Sequence, residues 1–311
     1  MAKFTIKATI PVTSYGNLQP EYEVEAKTYE EAEKMAMPYI EGIWAKYCQP
    51  GAELKENKKP EPAKDTVLID MTSPLTGVTA RFNSLTHTYF NAKGSAYLSG
   101  SNFAKKYQHE FKKEHILQMM QKKHDIPKDE IEEMWKLKSE SSMSFGTSVH
   151  AALEMYGKFM TVGEKTGAKK KVNSALHDQP TLKAIVESFF KGREKDVALY
   201  EPFIADDKRL LCGQIDRLLI VDEQKKICRV QDYKTNADIN KRGFNGKLLE
   251  PFDDLADTPL SGYWLQMSFY AEVLKAFGWT TKGLDAFHWT GEKWETYSRT
   301  PIDISKVLKE K

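Results

Sequence analysis

Cysteine is scarce in this chain: three in 311 residues, Cys48, Cys212 and Cys228, with no CxxC spacing. A four-cysteine zinc or iron–sulfur centre is excluded by arithmetic within one chain, and each thiol reads as a small buried residue of a reducing compartment. A charge of one sign is lacking too. Lys+Arg at 46 against Asp+Glu at 44 leaves a net +2, so composition neither demands nor excludes nucleic acid; positive charge would have to gather in one cleft. No apolar run approaches membrane-spanning length, and Met1-Ala2-Lys3-Phe4 leads into an alternating pattern rather than a signal peptide. The expectation is a cytoplasmic protein with no membrane partner.

What is present is a core-forming composition, 41% hydrophobic and 29% charged, over a length suited to one large domain or one and a half. Residues 2–27 read as two strands. Thr28 then looks like an N-cap with Glu31 as its capping-box partner, opening a helix to about Tyr47 with Ala32, Met35, Ala36, Ile40, Ile43 and Trp44 as its apolar stripe. This ββα unit, 1–50, has no ligand cluster or compact basic patch and reads as an interaction or oligomerisation module, a candidate site for a protein partner. A charged, Pro-containing linker follows over 51–65, and 66–311 is the main domain. In it the pattern predicts short strands at 67–69 and 89–90, helical stretches from Ser99 to about Lys123, from about Lys128 to Lys138 and after Ser144, and a helix near 181–195. A strand at 198–205, a β-hairpin, a loop at 236–259, a helix over about 262–277, strands at 284–290 and 294–299 and a short C-terminal helix complete it. Helices before and after a meander of strands indicate an α/β core with a mixed sheet.

The hairpin is the most informative segment. Two β-rich runs, Leu210–Val221 and Lys226–Lys234, flank the polar Asp222-Glu223-Gln224-Lys225. Asp232 and Lys234 are two apart and share one strand face. Asp216 joins them only if the pairing register sums to an even number, which asks for an odd-length loop or a bulge. Acids on strand faces are usually solvated, but two carboxylates and an ammonium gathered there suit a divalent-metal site with a cation beside it, as phosphodiester chemistry requires.

Two helical motifs join it. Gly146-Thr147-Ser148-Val149-His150 opens a helix, with Gly146 allowing close packing; a single helical histidine is ordinarily a core or surface residue. Gln266 and Tyr270 stand at i, i+4 on one face of an apolar helix, where an amide needs a hydrogen bond. Taken in order, Gly146–His150, Gly213–Asp216, Asp232–Thr235 and Gln266–Tyr270 resemble the motif set of the PD-(D/E)XK nuclease superfamily, in particular its RecB-like exonuclease branch and the phage members of it. The resemblance covers about residues 70–300. Ile215 replaces the proline expected before the first acid.

The resemblance implies a restriction-endonuclease-like core, Mg²⁺ or Mn²⁺, no iron–sulfur cluster, and DNA as partner, with work in recombination, repair or DNA processing in a bacterial host cytoplasm. It implies that His150, Asp216 and Asp232 ligate the metal with the Tyr233 carbonyl, and that Glu201 holds metal or water. By the same likeness Lys234 orients or deprotonates the attacking water, while Gln266 and Tyr270 position Lys234 or the substrate. The physical logic agrees: hydrolysing an anion needs charge neutralised on its oxygens and a water made nucleophilic near neutral pH. An imidazole ligand tilts the preference toward Mn²⁺. Lys234 between two acids should stay protonated and act electrostatically. DNA grip would come from Lys105-Lys106-Tyr107, Lys112-Lys113, Lys122-Lys123 and Lys169–Lys171, though helix-face lysines mostly solubilise. The loop 236–259 could gate the cleft, its Asp253, Asp254 and Asp257 arguing against a path along DNA. An inactive DNA-binding or scaffolding protein on the same fold and a structure-specific endonuclease are the rival expectations. The chain does not fix the oligomeric state.

Overall fold

The computed structural model describes residues 2–7, 10–13, 16–18, 21–28, 31–38, 68–161, 172, 175–243 and 245–308. The chain divides into two compact units, Met1–Asp65 and Thr66–Lys311. In the first, β1 (Ala2–Lys7) pairs antiparallel with β4 (Glu21–Ala26). Between them the expected connection forms its own small hairpin, β2 (Ile10–Thr13) with β3 (Gly16–Leu18), so four strands stand where two were read. A helix, α1, covers 31–38. Its capping box is present in shifted form: Thr28 Oγ1 accepts the Glu31 amide at 3.3 Å, and Glu31 Oε2 accepts the Lys27 amide at 3.0 Å. Ala32 and Ala36 are buried, while Met35 is 49% exposed and lies off the stripe. Ile40, Ile43, Trp44, Cys48, the linker over 51–65 and Lys169–Lys171 lie outside the described residues.

The second unit is α/β. It opens with an antiparallel meander, β5 (Leu68–Thr72), β6 (Thr79–Asn83) and β7 (Thr88–Phe90), of which β6 was not anticipated. After β8 (Leu98–Ser99) come helices α2 (Gly100–Lys105), α3 (Lys113–His124) and α4 (Lys128–Tyr156). The stretch read as one helix to Lys123 is thus two. Ser99 caps α2 by accepting from the Asn102 amide, and the chain then leaves helical geometry. There the Tyr107 carbonyl accepts from the Leu249 amide at 2.8 Å, and the His109 ring donates to the Lys247 carbonyl at 2.9 Å. Conversely, the stretches read as separate helices before and after Ser144 are one helix of 29 residues. No proline interrupts it, and serine costs only tenths of a kcal/mol per position. Gly146 therefore lies inside a helix rather than at its start.

Helix α5 (Pro180–Phe190) leads to β9 (Ala198–Tyr200), β10 (Phe203–Asp206), β11 (Leu211–Gln214), β12 (Arg217–Asp222) and β13 (Ile227–Lys234). Both the strand read at 198–205 and the first hairpin arm are broken in two. Then come α6 (Pro259–Lys275), β14 (Thr280–Trp289) and β15 (Trp294–Arg299), with turns rather than a helix over 305–308. The main sheet runs β15-β14-β13-β12-β9, with β13 and β14 parallel and the other pairs antiparallel. Strands β10-β11-β8 form a second, mixed sheet.

Alternation along β13 divides the core. Cys228 and Val230 join Leu218, Leu284 and the apolar face of α6, whereas Tyr233 joins Phe189, Phe287 and the inner faces of α4 and α5. Cys212 sits in a third cluster, with Tyr89 and Phe203, so the two described cysteines are buried free thiols in different cores rather than neighbours.

One row of polar side chains crosses the sheet interior. Arg217, Gln231, Asp285 and Ser298 occupy consecutive register positions on β12, β13, β14 and β15. Arg217 bonds to Gln231 and, at 2.6 Å, to Asp196; Gln231 donates to Asp285 at 2.9 Å, and Ser298 donates to Asp285 at 2.6 Å. Arg229 adds a two-pronged contact to Asp285. Burial opposes the Asp285 charge, but the bonds from Arg229, Gln231 and Ser298 outweigh it and hold its pKa below the ordinary value. Removing one member leaves the others desolvated and unpaired. Asp285→Ala should cost about 3–5 kcal/mol, read as a lower urea midpoint with an unchanged slope. A loss under 1 kcal/mol would show that the row is ornamental.

Candidate metal centre

Five of the residues singled out from the sequence converge at the end of the main sheet where β9 stops and β12 begins. The two chains turn this corner as a pair: the Glu201 amide donates to the Asp216 carbonyl at 3.0 Å and the Ile215 amide to the Pro202 carbonyl at 3.1 Å. Glu201 has φ 51°, in the left-handed region that side chains avoid outside special sites. The kink lifts both acids out of regular pairing.

The hairpin meets the register condition. Asp222 pairs with Ile227, and after a bulge at Val221 the pairs run from Ile220–Cys228 to Arg217–Gln231. That extra residue turns an odd register sum into an even one, the parity that directs Asp216 to the Asp232 side as the chain leaves β12.

His150 enters from α4. Its Nε2 lies 3.0 Å from the Tyr233 carbonyl, which can only accept, so Nε2 carries the proton. In the neutral ring the lone pair is then on Nδ1, 3.4 Å from Asp216 Oδ2. Metal-binding imidazoles are commonly oriented this way by a backbone carbonyl. The Tyr233 carbonyl thus spends one of its two lone pairs on His150. Asp216 Oδ2 also accepts the Tyr233 amide at 2.7 Å.

His150, Glu201 and Asp216 each offer a ligand atom, all within 4.8 Å of one another. Asp232 stands beside this trio. Its Oδ2 is buried without a well-angled hydrogen bond and lies 2.5 Å from Lys234 Nζ. Burial raises the Asp232 pKa, with Asp216 adding to the rise and Lys234 opposing it. Burial followed by the Asp216, Glu154 and Asp232 charges pushes Glu201 up to about 8. Burial works against the Lys234 ammonium, but Asp232 and Asp216 overcome it and raise its pKa, keeping it charged. Carboxylates crowded until they resist ionising, next to an imidazole lone pair, fit a hard divalent cation that would relieve the repulsion.

Helix α6 covers the other side. Gln266 Nε2 donates to the Tyr270 hydroxyl at 2.9 Å. The Tyr270 ring fills the space that a Cβ on Gly100 or Gly213 would need, which is why glycine precedes the Ile215-Asp216 step. The contact from α6 to Lys234 comes from Tyr263, whose ring centroid is 4.4 Å from Nζ. Gly146 brings α4 within reach of β13's end: a Cβ there would sit 3.0 Å from Thr235 Oγ1.

The sequence reading missed Tyr263, Glu154 and Lys158. The last two continue the i, i+4 spacing from His150, Glu154 within α4 and Lys158 in the turn that follows it, a signal available in the sequence. Lys158 pairs with Glu154 through partly exposed side chains, an interaction worth about 0.3–0.5 kcal/mol. Among the lysines proposed to grip DNA, Lys113 is paired to Glu132 at 2.8 Å. Tyr107 is half-buried and packs edge-on against Phe252 and Phe103, at 4.7 and 5.2 Å, at the margin of the core.

No family model and no curated protein matches this chain. Solved structures do match, among them one described as the crystal structure of SSO0001, 16% identical with a TM-score of 0.23 over 51% of this chain and 70% of that one.

Glu201 carries a pH signature. Its folded pKa of about 8 exceeds the ordinary 4.5, so between these values the folded chain binds more protons than the unfolded chain. Without metal, stability should therefore fall as pH rises through this window. A divalent cation such as Mn²⁺ bound at this site would compete for the ionised form, so its stabilisation should grow with pH and reach about 2.7 kcal/mol at a hundredfold excess over Kd. Melting curves at pH 6 and 8.5, with Mn²⁺ or EDTA, test this. An equal Mn²⁺ shift at both pH values, or one that survives Asp216→Asn, counts against the site.

Proposed function

We propose that this chain is a metal-dependent DNA nuclease of the PD-(D/E)XK superfamily, in its RecB-like exonuclease branch. On this reading the main sheet with α4, α5 and α6 is a restriction-endonuclease-like core. The supporting observation is the convergence of His150, Glu201 and Asp216 within ligand distance of one another, directly beside the Asp232–Lys234 pair.

His150, Asp216, Glu201 and Asp232 would hold Mg²⁺ or Mn²⁺, with the free lone pair of the Tyr233 carbonyl as a further donor. The bound ion would supply charge neutralisation and an acidified water. Lys234 remains an ammonium and stabilises negative charge developing on the phosphate, orienting water rather than taking its proton. Tyr263 and Asp232 fix that ammonium from two directions, limiting its rotamers. Tyr270 acts one layer back: buried between two glycines, it sets the strand position from which Asp216 departs and lends its hydroxyl to hold Gln266 at the cleft.

End-labelled linear DNA and closed circular DNA, each with Mg²⁺ or Mn²⁺, test the reading. We expect loss of the linear form only, with Asp232→Ala and Lys234→Ala each slowing it by about 10²–10³. Nicked circles would make the enzyme an endonuclease using the same residues. DNA binding without cleavage on any substrate would identify a scaffolding protein on a spent site.

A further inference from the structure

Beside the metal-ligand trio, on the β5 side, lies a cavity of about 500 Å³. Its walls are apolar at Met71, Pro74 and Pro202 and polar at Thr72 and Lys158, and Glu201 forms one edge. Glu201 thus belongs both to this cavity and to the proposed metal centre. The volume lies within the range of small-ligand sites, about 300–1,000 Å³.

Two features place Lys158 at this mouth. Helix α4 ends at Tyr156 and passes into a π-helical turn, Gly157–Thr161, a local widening that is frequent at functional sites. Gly157 lies flat against the Tyr200 ring, where a Cβ would clash, so the helix end is pressed onto the end of β9, one residue before Glu201. Lys158 then stands two helical turns beyond His150, about 12 Å along the axis. Its partner Glu154 is a weak, partly exposed helix contact that a phosphate could replace.

We propose that this cavity is the subsite for the nucleotide adjoining the scissile phosphate of a single-stranded nucleic acid, its base against Met71, Pro74 and Pro202 and its phosphate on Lys158. The proposal rests on the nuclease reading for the word scissile, but not for the binding itself. A base paired in a duplex cannot enter a pocket of this kind without unstacking, so single strands and frayed ends are the favoured substrates. Lys158 leaves Glu154 on binding, freeing a carboxylate whose charge acts on Glu201.

The test is fluorescence anisotropy of a labelled 12-nucleotide thymidylate strand with the full chain in EDTA, where no cleavage occurs. Wild type, Lys158→Gln, Lys158→Arg and Met71→Trp are compared across a salt series. Lys158→Gln should weaken binding severalfold and reduce the slope of log affinity against log salt by about 0.7, the value of one phosphate contact on a single strand. Lys158→Arg should keep the slope. Met71→Trp, which fills the cavity, should weaken binding while leaving the slope unchanged. An unchanged slope in Lys158→Gln, full affinity in Met71→Trp, or no binding by wild type overturns the subsite. If these binding results hold and wild type with Mn²⁺ cleaves nothing, the nuclease reading falls and the subsite stands. If cleavage is robust and the slope does not move, the reverse follows.

Discussion

The buried polar row Arg217–Gln231–Asp285–Ser298 is the constraint on which the rest of the structure depends. Strands β13 and β14 bury both faces over 230–233 and 283–288, and apolar contacts alone tolerate a slip. A slip of one residue would move every side chain to the opposite face. In this row each member accepts or donates to its neighbour across the strands, so only one alignment leaves no charge stranded. The site is one residue away. Asp216 precedes Arg217 and Asp232 follows Gln231, so the row that fixes register also fixes which two carboxylates face each other. Arg217 is fully buried, and its guanidinium lies over Phe189 and Tyr200, which ties the row to α5 and β9 as well.

Electrostatic cost accumulates on the other side of that alignment. Asp216, Glu201 and Asp232 are brought together by backbone geometry, and the fold accepts their repulsion: burial and mutual charge raise Glu201 and Asp232. Lys234 offsets this at Asp232, and Lys158 offsets it at Glu201. A protein selected for stability alone would replace one of the acids with an amide. All three beside an imidazole whose tautomer is set by a carbonyl form the pattern that the proposed metal site would need, at a cost in stability.

Much of the site was legible because it rests on short-range periodicity. Strand alternation put Asp232 and Lys234 on one face, and it framed the parity condition that the Val221 bulge meets. Helical spacing put Gln266 next to Tyr270. What escaped was set by tertiary contact. The breaks at Glu201–Pro202 and Ile215–Asp216 belong to a corner between two sheets, and apolar runs continue through it without a signal. The Leu249 and Lys247 contacts that end helical geometry after Lys106 come from residues more than a hundred positions away. Serines near 139–144 suggested a helix break, yet both ends of α4 are anchored and the weak middle is carried along. Tyr263 carries no signal of its own, being one of several aromatics in an apolar helix.

That anchored helix has an uncommon internal profile. From Lys136 to Phe145 every residue of α4 is exposed, whereas Ile131 near one end and Val149, Ala152 and Leu153 near the other are buried. Helices ordinarily fray from their ends. Here the ends are clamped by packing, while the serine-rich centre is held by backbone bonds and local contacts within the helix such as Lys136–Glu140, so amide protons should exchange with solvent fastest in the middle of the rod. The protein would open there first, leaving its strands and both clamps closed.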